Sequence, residues 1–158
     1  ELYRAFESVM GIVHTHSKAA TSLCQLGEAL PVLGTTHADH FNGTVPLVRA
    51  LTPHEVAEGY ELNTAKAIIT HYMEHDLDPV QVPAVLQHYH APFTWGPSVE
   101  AALDNAIALE MCAAMALDML AAGQPLSAIP DHILNKHQTR KHGPLATYGQ
   151  KPKAAQAS

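Results

Sequence analysis

Residues 2–10 carry apolar side chains at helical spacing and lead into Gly11, after which Ile12-Val13-His14-Thr15-His16 reads as a short strand. Ser17 is placed to cap a helix running to about Gly27. A second strand is expected near Ala29 to Leu33, at a sheet edge because it contains Pro31. Gly34 to Gly43 is polar and glycine-containing and reads as a loop, the kind of segment that commonly carries function. Thr52-Pro53-His54-Glu55 combines an N-cap, proline at the first helical position and a glutamate three residues after the cap. A helix is therefore expected from there to about His75, broken near Gly59, with Pro79 beyond its end. Val82 to Tyr89 is a third strand, and Ala91 to Gly96 reads as a turn.

Pro97 and Gly123 bracket the longest expected helix. Leu103, Ile107, Met111, Met115 and Met119 form an i, i+4 row along it, opposite a narrow face holding Glu100, Asp104, Glu110 and Asp118. Methionine at helical spacing is ordinarily packing, so this row is expected to be core. A last helix begins at Pro130 and ends near Gly143, with Arg140, Lys141 and His142 in its final turn, where cations favour the helix dipole. Residues 151–158 read as a disordered tail, leaving one domain over 1–150. Strands and helices are mixed, so the class is α/β or α+β.

The chain has 158 residues, enough for one domain, and its 47% apolar and 15% charged composition supports a core. A net charge of -6 has the wrong sign for binding phosphate backbones or anionic lipid surfaces. Cys24 and Cys112 are far apart and form neither a disulfide framework nor a thiolate zinc knuckle, which fits a reducing cytoplasm. The apolar stretch around Ala106 to Ala122 is interrupted by Glu110 and Asp118, so no membrane segment is expected. The chain opens into a helical pattern without an initiator methionine, and residues are expected ahead of Glu1.

Twelve histidines change the picture, because histidine is the commonest ligand for transition metals. His14 and His16, two apart on an expected strand, point to one face and can converge on one ion. His88 and His90 repeat the spacing. Roughly one His-x-His pair would arise by chance at this composition, and two are present. The residues leave the third ligand open among His37, His88 and His90. His37-Ala38-Asp39-His40 offers a carboxylate beside imidazoles, an acid/base set if it lies near a metal; otherwise Asp39 would cap a backbone N–H. His137 shares a helical face with Ile133 and Leu134 and, taken alone, reads as a half-buried structural histidine. No phosphate-binding glycine loop, nucleophile elbow or dinucleotide fingerprint is present.

Five segments together resemble a known family. They are Gly11-Ile12-Val13-His14-Thr15-His16-Ser17, Gly34-Thr35-Thr36-His37-Ala38-Asp39, Gly59-Tyr60-Glu61, His90-Ala91-Pro92-Phe93-Thr94-Trp95-Gly96, and the stretch from Asn135-Lys136-His137 through Arg140-Lys141-His142-Gly143 to Tyr148-Gly149-Gln150. Their order and spacing are similar to those of the L-ribulose-5-phosphate 4-epimerases, within the class II aldolase and adducin superfamily. The resemblance implies an α/β/α sandwich around a central, largely antiparallel sheet, incomplete at its N-terminus. It also implies a homotetramer with active sites between adjacent subunits, acting on a sugar phosphate.

Residue by residue, the resemblance implies zinc on His14, His16 and His90, an acid/base pair of Asp39 and Tyr148, and His137 as a nearby helper. It implies that the bond between carbons 3 and 4 of L-ribulose 5-phosphate breaks and re-forms on the other face of the aldehyde, giving D-xylulose 5-phosphate. The chain departs from the family pattern at Tyr89, Ala91, His40 and Thr147, none of which removes a ligand. The family's first third, with its phosphate loop and a Ser-Ser-Asp segment, would precede Glu1, so the chain as written is expected to be inactive. Two other readings are a sugar-phosphate aldolase of the same superfamily and a non-catalytic adducin-like domain. The His-Ala-Asp segment and the His137/Tyr148 region argue against the first, and retention of three ligand histidines against the second.

Overall fold

The computed structural model describes residues 1–142 and Ala146. Four strands, β1 (Gly11–His14), β2 (Leu47–Val48), β3 (Ala84–Gln87) and β4 (Pro92–Gly96), form one sheet in the order β1-β4-β3-β2. β4 runs antiparallel to both neighbours and β2 lies parallel to β3, so the sheet is largely antiparallel. The register sets Gly11 opposite Gly96 and His14 opposite Phe93.

Helices cover both faces, as α/β/α layering requires. On one face α2 (Lys18–Leu26) and α5 (Val99–Ala121) pack with Phe41, Ala84 and Leu86 around Leu23, Leu109 and Cys112. On the other, α1 (Leu2–Ala5) and α4 (Pro53–Glu74) bury Phe6, Ile68 and Tyr72 against Val85 and Trp95. α3 (Thr35–His40) and α6 (Asp131–His142) complete the described chain.

The expected α4 forms with its capping box: Thr52 Oγ1 accepts from Glu55 N, and Glu55 Oε2 accepts from Thr52 N. Gly59 breaks it at φ 155°, ψ 89°, a conformation closed to other residues at no cost. α2 and α6 also lie where expected.

Other expectations are corrected. Gly34 to Gly43 is not a loop but holds α3, because His37, Ala38 and Phe41 are buried and packing overrides weak local propensity. Ala29 to Leu33 contributes only an isolated bridge, Leu30 to Val45. The expected turn at Ala91 to Gly96 holds the central strand β4, with Pro92 at its first position, where a proline is tolerated. β1 ends at His14, leaving His16 in the connection to α2.

The largest correction concerns α5. Leu103, Ile107, Met111 and Met115 are 45–59% exposed, and the buried face is Ala102, Ala108, Leu109, Cys112, Ala113 and Ala116. Small side chains win because the helix lies very close to the sheet. A Cβ on Gly11 would come within 2.6 Å of the Ser98 backbone, and one on Gly96 within 2.9 Å of the Ala101 Cβ. Met119 is half-buried. Cys24 and Cys112 are both free and buried. Among the described residues no helix is long and apolar enough to cross a membrane. The expected tail at 151–158 lies outside the described residues.

Candidate metal centre

Ile12 and His14 alternate onto the sheet face covered by α4, which brings His14 beside Phe93 at the start of β4. The two rings stack at 4.0 Å and 14°. His14 Nδ1–H donates to the Pro92 carbonyl at 2.9 Å, which leaves the Nε2 lone pair for a ligand. A carbonyl that fixes the tautomer of an imidazole is the usual partner of a metal-binding histidine.

His90 reaches the same place from the β3–β4 turn. There His90 N–H donates to the Gln87 carbonyl, and Tyr89 adopts the left-handed region at φ 63° while donating to Cys24 O. His16 arrives from the β1–α2 connection. The ring centroids of His14, His16 and His90 lie 4.8 to 5.2 Å apart. One nitrogen from each lies within 4.8 Å of the other two. Burial, followed by the neighbouring His14 and His16, lowers the His90 pKa and so favours its neutral, ligating form. Its Nδ1 is buried with no hydrogen-bond partner among the described residues.

Three converging imidazoles, one with its tautomer fixed and one with an unmatched buried nitrogen, fit a transition-metal ion. They are the one such group of three among the described residues. A cavity of about 160 Å³ opens beside them, lined by Tyr60, Glu61, Thr64 and Phe93 among others. Tyr60 packs edge-on to His90 at 5.6 Å.

The other histidines in contention go elsewhere. His37 is 2% exposed, donates from Nε2 to Gly43 O at 2.8 Å, and has its pKa lowered to about 4, chiefly by burial. His88 stacks on Tyr89 at 3.7 Å and sits over Gly27.

Asp39 belongs to a second cluster. Its Oδ1 accepts from His137 Nδ1 at 2.9 Å and its Oδ2 lies 3.7 Å from Arg140. α6 is thus held to α3 by polar contacts. His142 Nε2–H donates to Asp39 O, Gln138 to Ala38 O, and Lys141 to His40 Nε2 at 3.1 Å. Because His40 Nε2 accepts, its Nδ1–H donates to Asn105 Oδ1. Burial lowers the pKa of both His40 and Lys141. This cluster borders a larger cavity of about 340 Å³ reaching Trp95 and Val80.

Among the described residues the two clusters do not meet. α3 and α6 lie on the α5 side of the sheet, whereas His14 faces α4. No hydrogen bond, ion pair or ring contact among the described residues joins Asp39 or His137 to the three histidines. Tyr148 lies outside the described residues.

By its position along α5, Glu110 belongs to that helix's acidic face. Its carboxylate instead receives the backbone N–H groups of Ala19 and Ala20, and only its lone charge amid apolar neighbours hinted at this.

The model of the class II aldolase and adducin N-terminal domain family matches residues 1–117. The chain belongs to this family. It is 46% identical over 150 residues to the L-ribulose-5-phosphate 4-epimerases UlaF of Salmonella paratyphi B and Salmonella typhi, covering 95% of this chain and 65% of each relative. The chain thus spans about two thirds of the length of the curated relatives it matches. Among solved structures it is similar to an L-fuculose 1-phosphate aldolase, at TM-score 0.61 and 25% identity over 82% of this chain and 54% of that one. It shares its fold with YgbL of Escherichia coli, at TM-score 0.64 and 22% identity over 87% and 61%.

Proposed function

We propose that this class II aldolase family chain belongs to a zinc-dependent enzyme that interconverts L-ribulose 5-phosphate and D-xylulose 5-phosphate. The observation that carries the reading is the convergence of His14, His16 and His90 beside an open cavity. Its support from outside the chain is the 46% identity to proteins named as that epimerase. Three neutral imidazoles suit zinc and leave a coordination position open.

Zinc held there would supply Lewis-acid polarisation of the ketose carbonyl oxygen, the charge stabilisation that breaking the bond between carbons 3 and 4 demands. The protein's own part begins with His14, whose Nδ1 bond to Pro92 holds the ring in its ligating tautomer. Asp39 and Tyr148 would carry protons on opposite faces of the aldehyde, one removing the proton from the carbon 4 hydroxyl and the other delivering it after re-addition. His137 Nδ1–H, at 2.9 Å from Asp39 Oδ1, orients that carboxylate. Since Asp39 and the histidines lie on opposite sides of one sheet, the pair would act on the metal of a neighbouring subunit in a homo-oligomer, the tetramer that the resemblance implies.

The direct test follows both pentulose phosphates by NMR in the full-length protein loaded with zinc and after chelation. Interconversion that chelation abolishes and zinc restores is expected. Cleavage to two fragments without re-addition would favour the aldolase reading instead.

A further inference from the structure

Helix α2 begins two residues after His16, and its first N–H groups need acceptors outside the helix. Ser17 holds the N-cap position with extended backbone, yet its side chain makes no capping hydrogen bond. The acceptor comes from α5, some ninety residues away. Glu110 Oε1 accepts from Ala19 N at 2.8 Å and Oε2 from Ala20 N at 2.9 Å. A carboxylate across this end of the helix also meets the positive pole of its dipole. Burial works to raise the Glu110 pKa, but the hydrogen bonds from Ala19, Ala20 and Ser17 outweigh it and leave it lowered.

This grip bears on His16 in particular. The His14 backbone is held by the β1–β4 register and its ring by Pro92. His16 lies outside the strand, its exposed ring makes no hydrogen bond among the described residues, and its direction therefore depends on the backbone on either side. One side is β1. The other is the first turn of α2.

We propose that Glu110 is a positioning residue for the metal centre: by holding Ala19 and Ala20 it sets the course of the chain through His16 and aims that ring at His14 and His90. This rests on the metal-centre reading above. Removing a partner that orients a ligand typically weakens metal binding 10- to 100-fold, and Glu110 would act through the backbone to the same end.

The test titrates the purified protein with cobalt(II) alone, reading affinity and the visible d–d spectrum beside the melting temperature. Glu110→Gln keeps the size but loses the second carboxylate oxygen, and is expected to weaken cobalt about tenfold and alter the band. Glu110→Asp, which keeps the charge on a shorter reach, is expected to give a smaller loss and covers the case in which Glu110→Gln does not fold. Tyr72→Phe is the control, since it removes a buried hydroxyl set between the Val82 and Ala84 carbonyls under α4, on the sheet face opposite Glu110 and α2, and touches none of the three histidines. It should lower the melting temperature and leave cobalt affinity and spectrum as they were. Wild-type affinity and spectrum in both Glu110 variants would overturn the proposal, as would an equal change in Tyr72→Phe. Failure of the unmodified protein to bind one cobalt would instead overturn the metal-centre reading, and the proposal with it.

Discussion

Each of the three histidines is held by different means. His14 has a carbonyl on one ring nitrogen and Phe93 against its face, His90 has a buried nitrogen without a partner, and His16 has neither. Two imidazoles chelate a divalent ion far more weakly than three, because a zinc site needs three or four protein ligands. His16→Ala should therefore lose stoichiometric zinc while the fold survives, since His16 is exposed and packs no core. His88→Ala should keep its zinc. Metal analysis after dialysis checks both, and one tight zinc per chain in His16→Ala would contradict the ligand assignment.

α5 shows how a helix can turn its longest side chains outward. Its close approach to Gly11 and Gly96 leaves room for alanines, and Leu109 and Cys112 fill what remains between α2 and the sheet. Leu109→Ala should cost about 2–5 kcal/mol by opening a cavity. Met111→Ala, at a position 57% exposed, should change stability by about 0.5 kcal/mol at most. Denaturant midpoints of the two variants check this orientation of the helix. α4 offers a pH prediction. The Glu55 pKa is lowered to about 2, first by Arg49, which it meets at 2.7 Å, and then by the Thr52 backbone. A carboxyl depressed in the folded state contributes stability that is complete above its unfolded value and fades as pH falls through the folded one. The contribution is small because the pair is exposed. Acid titration of wild type should accordingly show a loss between about pH 4 and pH 2 that Glu55→Gln lacks.

Taken together, the described residues carry two polar clusters on opposite sides of one sheet: three histidines facing α4, and Asp39 of α3 with His137 of α6 on the α5 side. In the function proposed above, a single site built from both would take two subunits. Mixing inactive His14→Ala protein with inactive Asp39→Asn protein, under conditions in which subunits exchange, should restore part of the activity. Some mixed interfaces would then pair an intact histidine cluster with an intact Asp39. Exchange without recovery would confine the reaction to one chain. About a third of the curated relatives' length lies outside the matched region, so this experiment belongs to the full-length protein.

Local rules determined a good deal of this molecule. The Thr52-Pro53-His54-Glu55 box, the break at Gly59 and the left-handed Gly27 that ends α2 all act within a few residues and are legible as letters. So was the His14-x-His16 pair, though spacing alone could not choose its partner. Tertiary structure decided that choice, because the β3–β4 turn carries His90 to the strand end holding His14 while His37 is drawn into the core by its bond to Gly43. It also decided which face of α5 is buried, since the clearance above Gly11 and Gly96 is set by helix–sheet distance and not by hydrophobicity. The same holds for Asp39 with His137 and for Glu110 with α2, pairs separated by about ninety residues or more. Hydrophobic periodicity reports the environment of a residue along its own element. Which elements meet, and how closely, depends on shapes that exist only once the whole chain has packed.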